Sequence, residues 1–374
     1  MSGRFYVRQR FCYLTMAMIG ASLPVLGNIQ YTCDPDFSTY APAGICTSPT
    51  GLNGSSVAGV YSSIFSNVNA NIYITFGGTN AYGQSNTIFT AVPYANYYNA
   101  LSLHTDDTLA LTSLGGSTDP LGSLSNGRVD VSSALANALG MTAPNDNGAT
   151  TAGIDMNGNP CTLGNPNCYN GVINIGEPGI TGVPWYFPLS LSDPPGTGID
   201  FYSVVEHETD EVLGTVSCIA GNDIDGCQPA NGPTPQMTDA SPADLFRYSA
   251  LGVRTFLNAS DGTTGAYFSI NGGLTDIADY NNSPTGGDYG DWLSMYPYMV
   301  QDSQISEQVN LDISTDVGVN GNDYPRPEVA VLDAVGFNLN SSVPEPGTLG
   351  LLGGSLLIMV LVRARVAHRG RKVQ

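Results

Sequence analysis

The chain holds three histidines and seven glutamates. One histidine and three of the glutamates share a single run, Glu206-His207-Glu208-Thr209-Asp210-Glu211-Val212-Leu213-Gly214. Imidazoles and carboxylates are among the side chains that hold divalent metal ions. On a helix, residues four apart lie on one face, so His207 and Glu211 can point at one ion, with Glu208 projecting beside them. The competing reading is a solvated acidic helix with one stray histidine. Placement separates the two.

The run sits where a helix should be. Asp200 can cap a helix from Phe201 to Leu213, and Gly214 can end it. Upstream, Val57 to Val68 reads as a helix with Val60, Ile64 and Val68 on one face. Asn71 to Phe76 alternates as a strand, Tyr94 to Thr112 reads as a helix, and Gly171 to Gly176 reads as a second strand. Between them lies a short helix, Ser132 to Leu139, capped by Ser132 or Ser133 and stopped at Gly140. Downstream come a compact cluster at Ser241 to Ser249, a strand at Ala266 to Ile270, a turn with two carboxylates at 286–292, and a last short helix from Arg326 to Gly336. The expected fold class is α+β, with a mixed small sheet, an active-site helix and disulfide-stapled loops. No period suggests a repeat array.

At 374 residues the chain can bury a sizeable core. Residues 1–27 have the form of a secretory signal, with Arg4, Arg8 and Arg10 before an apolar stretch and a small-residue site at Val25-Leu26-Gly27. At the far end, Val343-Pro344-Glu345-Pro346-Gly347 precedes a short apolar run and then Arg363, Arg365, Arg369, Arg371 and Lys372, a basic end expected to stay cytoplasmic. Over residues 28–346 only Arg128, Arg247, Arg254 and Arg326 face all 32 acidic residues. So acidic a body favours divalent cations and disfavours nucleic acid, which needs a basic face. Without Cys12, six cysteines remain, in the close pairs Cys33/Cys46, Cys161/Cys168 and Cys218/Cys227. Local pairing in an oxidising compartment is the preferred of the fifteen patterns that six cysteines allow. The sequence carries no G-x-S-x-G and no phosphate-binding Gly-Lys-Ser/Thr loop.

Two resemblances follow from these motifs. The tail at 343–374 resembles the PEP-CTERM sorting signal of Gram-negative bacteria, with Pro-Glu-Pro at 344–346, an apolar segment and an arginine cluster in that order. This implies an exosortase-type processing enzyme as partner, a membrane segment in the precursor, and a place at the cell surface or in the extracellular matrix. The helix resembles the zincin metalloprotease helix, H-E-x-x-H, with glutamate as the second ligand. The stretch from about 57 to 337 is similar to exported bacterial metalloproteases that read H-E-x-x-E-V-hydrophobic-G, then D-L-F-R-Y-S and G-G-D-Y-x-D-W. Here these stand at 207–214, 244–249 and 286–292. The resemblance implies a zinc-dependent peptidase acting on a protein or peptide substrate. His207 and Glu211 would be ligands, and Glu208 the base that takes a proton from the attacking water.

Zinc needs a third protein ligand. In metzincins, which share the first part of this pattern, a third histidine would fall at position 217, which is serine. Asp244 is the preferred candidate, because it follows the helix across the Cys218/Cys227 loop and opens the D-L-F-R-Y-S cluster. It can equally serve as a cap or pair with Arg247. His104 is the other candidate, although it lies far upstream. Tyr248 is either an oxyanion donor or a core tyrosine. A His/Glu/Asp set also leaves manganese and calcium open. Calcium could bind the Asp-rich loops at 222–226 and at Asp288/Asp291, where ordinary turns are the competing reading. The expected organisation is a signal at 1–27, an exported leader at 28–54, a zincin-like domain at 55–342 and a sorting tail at 343–374. Two other functions stay open: a non-catalytic biofilm-associated surface protein with a degenerate site, and a calcium-stabilised adhesion module.

Overall fold

The computed structural model describes residues 27–105, 107–122, 125–178, 182–188, 197–219, 239–255, 265–281, 288–293, 298–304, 307, 309–316 and 326–340. The expected signal up to residue 26, the sorting tail from 343 and the loop at 222–226 lie outside the described residues. No helix among the described residues is long and apolar enough to cross a membrane.

The fold is mixed α+β, as expected, with small sheets and six α-helices among the described residues. In chain order the strands are β1 (Asn28–Cys33), β2 (Asn69–Phe76), β3 (Gly83–Thr87), β4 (Phe89–Pro93), β5 (Arg128–Ser132), β6 (Ala152–Asp155), β7 (Pro160–Thr162), β8 (Cys168–Tyr169), β9 (Gly171–Ile175), β10 (Trp185–Tyr186), β11 (Ile199–Asp200), β12 (Arg247–Ala250), β13 (Val253–Arg254), β14 (Tyr267–Phe268) and β15 (Ala278–Asp279). The helices are α1 (Ala58–Ile64), α2 (Tyr94–His104), α3 (Thr108–Leu114), α4 (Ser133–Ala138), α5 (Phe201–Leu213) and α6 (Pro327–Val335).

The sheet that carries the site has the order β1-β2-β9-β3. β1, β2 and β9 run parallel, and β3 closes the edge antiparallel to β9. Helix α5 packs against β3 and β9, and Val212 sits directly over Gly171, where any larger residue would collide with it. Tyr31 of β1 and Thr209 of α5 share a hydrogen bond of 2.7 Å between their hydroxyls. The Tyr61 hydroxyl on α1 donates to Asp210 Oδ1 of α5 at 2.5 Å. These ties fix α5 across the sheet.

The segment 28–54, expected as an irregular leader, instead supplies β1. Its alternating burial puts Ile29 and Tyr31 into the core beside β2. The single helix expected over Tyr94 to Thr112 is two. Thr105 is extended, and Asp107 accepts from Leu109 N and Ala110 N to cap α3 afresh. The strand expected at Ala266 to Ile270 shortens to β14. Disulfides join Cys33 to Cys46 and Cys161 to Cys168, matching the local pairing. Cys218 is also disulfide-bonded, and Cys227 lies outside the described residues.

Candidate metal centre

Helix α5 begins and ends as its sequence dictates. Asp200 accepts from Tyr202 N at 2.9 Å, and Gly214 takes φ +128°, a conformation that L side chains rarely adopt. The helix is buried along its length, only His207 reaching intermediate exposure. Glu206, Glu208, Asp210 and Glu211 are therefore taken out of water together. Ionised carboxylates are almost never fully buried without a partner, so this is not the solvated face of an acidic helix.

His207 is oriented from behind. Its Nδ1 lies 2.9 Å from the Val300 carbonyl, which can only accept, so Nδ1 carries a proton and Nε2 is the ring nitrogen turned toward the acids. Around Nε2 stand Glu211 Oε1 at 3.6 Å and Asp291 Oδ1 at 3.5 Å. Gln301 Nε2 lies 3.3 Å from His207 Nε2 and donates to Asp291 Oδ1 at 3.2 Å. Ser85 Oγ, on the edge strand β3, donates to Glu211 Oε2 at 2.7 Å. His207, Glu208 and Glu211 each place one ligand atom within 4.8 Å of the others, the one such triad among the described residues. Glu208 Oε2 is buried with no partner.

The electrostatics fit a cation. Burial alone would lower the His207 pKa, but Asp291, Glu211 and Glu208 outweigh it and push it well above the usual value. Burial, and then the Glu211 charge, push Glu208 well up. Burial also raises Asp291 to about 7 against the pull of His207. Burial would raise Glu211 too, yet the bond and charge of His207 and the Ser85 hydroxyl hold it below its usual value. The residues lie on a cavity of about 460 Å³ lined also by Tyr82, Gly83, Asp288 and Asp302.

Of the residues singled out from sequence, His207, Glu208 and Glu211 come together. Asp244 does not join them. Ser217 Oγ donates to its Oδ1 at 2.6 Å, and the backbone N–H groups of Cys218 and Ser241 donate to its Oδ2 at 2.8 and 2.9 Å. It pins the chain after α5 to the start of the D-L-F-R-Y-S cluster, which is the capping role. His104 is exposed at the end of α2, against Gly140. The Tyr248 hydroxyl shares a 2.8 Å bond with Ser113 Oγ under the Arg254 guanidinium, as a core tyrosine does.

Asp291, not Asp244, stands beside His207. The backbone bridges of Trp292 to Tyr280 and to Asp302 carry it to His207. Sequence reasoning recognised the motif at 286–292 but gave it no role at the helix. Ser85, Gly83 and Gln301 had no sequence signal. Comparisons of the chain with family models, curated proteins and solved structures gave no match.

Proposed function

We propose that this chain is an exported peptidase of zincin type, in which His207, Glu211 and Asp291 hold a zinc ion and Glu208 moves the proton. The observation that carries the reading is His207 Nε2, turned by Val300 toward Glu211 and Asp291 beside the unpartnered Glu208 Oε2. One nitrogen and several carboxylate oxygens make a suitable donor set for zinc, and among the described residues no lysine or arginine lines the cavity. Zinc, when bound, polarises a carbonyl and acidifies water.

The chain's own residues supply the remaining parts. Glu208 is buried and its proton affinity is raised, so it is suited to take a proton from the attacking water and return it to the leaving amine. Ser85 fixes Glu211. β3 ends the sheet, so one side of it offers backbone N–H and C=O groups to an added strand, and Gly83 to Ser85 of β3 line the cavity. An extended peptide lying there would bring its backbone carbonyl toward Glu208. The signal at 1–27 and the tail at 343–374 supply the case for export and surface delivery.

The test pairs metal content with cleavage. The wild type should carry about one zinc per chain by mass spectrometry, and His207→Ala should carry none. Glu208→Gln should keep the zinc and the melting temperature but lose casein cleavage by about 10²-fold or more, because an amide cannot take the proton. Equal zinc in wild type and His207→Ala would remove the metal site, and undiminished cleavage by Glu208→Gln would remove the base.

A further inference from the structure

Behind His207 the chain leaves oxygen acceptors that the centre above does not use. Three successive backbone N–H groups each hold one oxygen of a buried acid. Met299 N donates to Asp302 Oδ2 at 3.0 Å, Val300 N to Asp316 Oδ2 at 2.6 Å, and Gln301 N to Glu328 Oε1 at 3.3 Å. Glu328 Oε1 also accepts from Trp292 Nε1 at 2.9 Å. The second oxygens of Asp302 and Glu328, Oδ1 and Oε2, are buried with no partner. So are Asp210 Oδ2 on α5 and the amide oxygen of Gln301. These four residues are at most 4% exposed. All four orphaned atoms are acceptors.

A protein answers such a group with lysine or arginine, and among the described residues no ion pair joins either to these acids. There is no lysine before Lys372, and only four arginines lie between residues 28 and 346. Arg128 pairs with Asp239, Arg247 lies over Tyr280, and Arg254 binds the carbonyls of Leu245 and Ser113. Arg326 makes no ion pair with these acids among the described residues. Buried charge needs an opposite charge or a proton.

We propose that Asp210, Asp302 and Glu328, with the amide oxygen of Gln301, form a second cation site that takes a hard divalent ion of calcium type. The donors are all oxygen, and carboxylates and carbonyls are what such ions select, whereas a site without imidazole or thiolate suits zinc poorly. Among the described residues only His207, Glu208 and Glu211 stand within 4.8 Å of one another, so these donors are more spread and the ion would draw them together. That would tighten the turn at 299–302, whose Val300 carbonyl orients His207. The inference does not depend on peptidase activity. In the absence of an ion the acids must keep protons instead: burial, then Glu328, raises Asp316 to about 9, and burial raises Asp302 to about 8 with Glu328 adding to it.

The two accounts separate in a melting experiment on the full chain, stripped with chelator, loaded with zinc and titrated with calcium chloride near neutral pH. Calcium should raise the melting temperature of wild type and of His207→Ala by several degrees, and should leave Glu328→Gln and Asp302→Asn unmoved while their zinc content stays at the wild-type level. No calcium shift in wild type, or an unchanged shift in both acid variants, would overturn the second site. Loss of zinc in His207→Ala with the calcium shift intact keeps the two sites apart. If neither acid variant folds, terbium decides on wild type. Trp292, bonded to Glu328, should sensitise terbium emission that calcium displaces, and its absence would overturn the proposal.

Discussion

Two buried acid clusters flank the end of α5, and they are built on opposite principles. At Asp244 each carboxylate oxygen meets a donor, from Ser217, Cys218 or Ser241. Around His207, one oxygen each of Glu208, Asp210, Asp302 and Glu328 is buried without one. A buried polar atom without a partner costs on the order of 1–3 kcal/mol, so several such atoms in one neighbourhood are not a stabilising choice. Burial raises the pKa at both places, and at Asp244 the surrounding donors and Arg247 pull it back.

The strongest way to break that contrast is to exchange the fates of two aspartates. Asp291→Asn should lower zinc affinity by about 100-fold or more, because a carboxylate ligand becomes a neutral amide, and should leave the melting temperature nearly unchanged. Asp244→Asn should keep zinc binding and lose about 1–3 kcal/mol of stability, since an amide cannot accept all three donors. Zinc titration beside chemical denaturation reads both. The reverse pattern would restore Asp244 as the third ligand and make Asp291 structural.

The contrast also has a pH signature. Asp302 and Asp316 bind protons more tightly folded than unfolded, where a carboxylate titrates near about 4. Stability from these groups is complete below the unfolded value and is lost as pH rises through about 8 to about 9. His207, raised in the fold, works in the same direction, and Glu211, held low, opposes it. In chelator, the melting temperature should therefore fall by several degrees from pH 5 to pH 9, and calcium should flatten the fall. A profile already flat in chelator would mean that the cluster is charge-balanced in some other way.

What was legible in sequence was local. Asp200, Gly214 and the i, i+4 pair define α5 within one stretch of chain, and Ser132 caps α4 with a bond to Leu135 N at 3.2 Å. The break at Asp107 was also local, since an aspartate before a helical run is a cap, but the apolar spacing across it hid the signal. β1 carried period-two alternation in N-I-Q-Y-T-C, masked by the cysteines that staple it. Asp291 was beyond reach for a different reason. Its place depends on bridges from Trp292 to Tyr280 and Asp302, pairings between distant segments that no window of sequence encodes. Asp244, expected as a ligand, stood in a motif just as distinctive, and its donors Ser217, Cys218 and Ser241 come into view only in the folded chain.

Two glycines offer the finest test, because each replaces a hydrogen by a methyl at one of the two kinds of place. A Cβ on Gly83 would run into the Glu208 side chain, whose Oε1, Cδ and Cγ are its three nearest atoms. A Cβ on Gly290 would meet the backbone of the segment after α5, 2.7 Å from the Thr215 carbonyl oxygen and 3.0 Å from Ser217 N. Backbone there is held by the Asp244 network and cannot give way, so Gly290→Ala should destabilise the fold by about 1–3 kcal/mol through overpacking. The Glu208 side chain borders a cavity and can swing into it. Gly83→Ala should therefore keep the fold while displacing the base, and casein cleavage should fall about tenfold, the order of loss expected when a proton acceptor moves out of reach. The readouts are melting temperature and kcat for both variants. If Gly83→Ala melts early at full activity, Glu208 is a packing residue, and the unpartnered oxygens beside His207 lose their claim to chemistry.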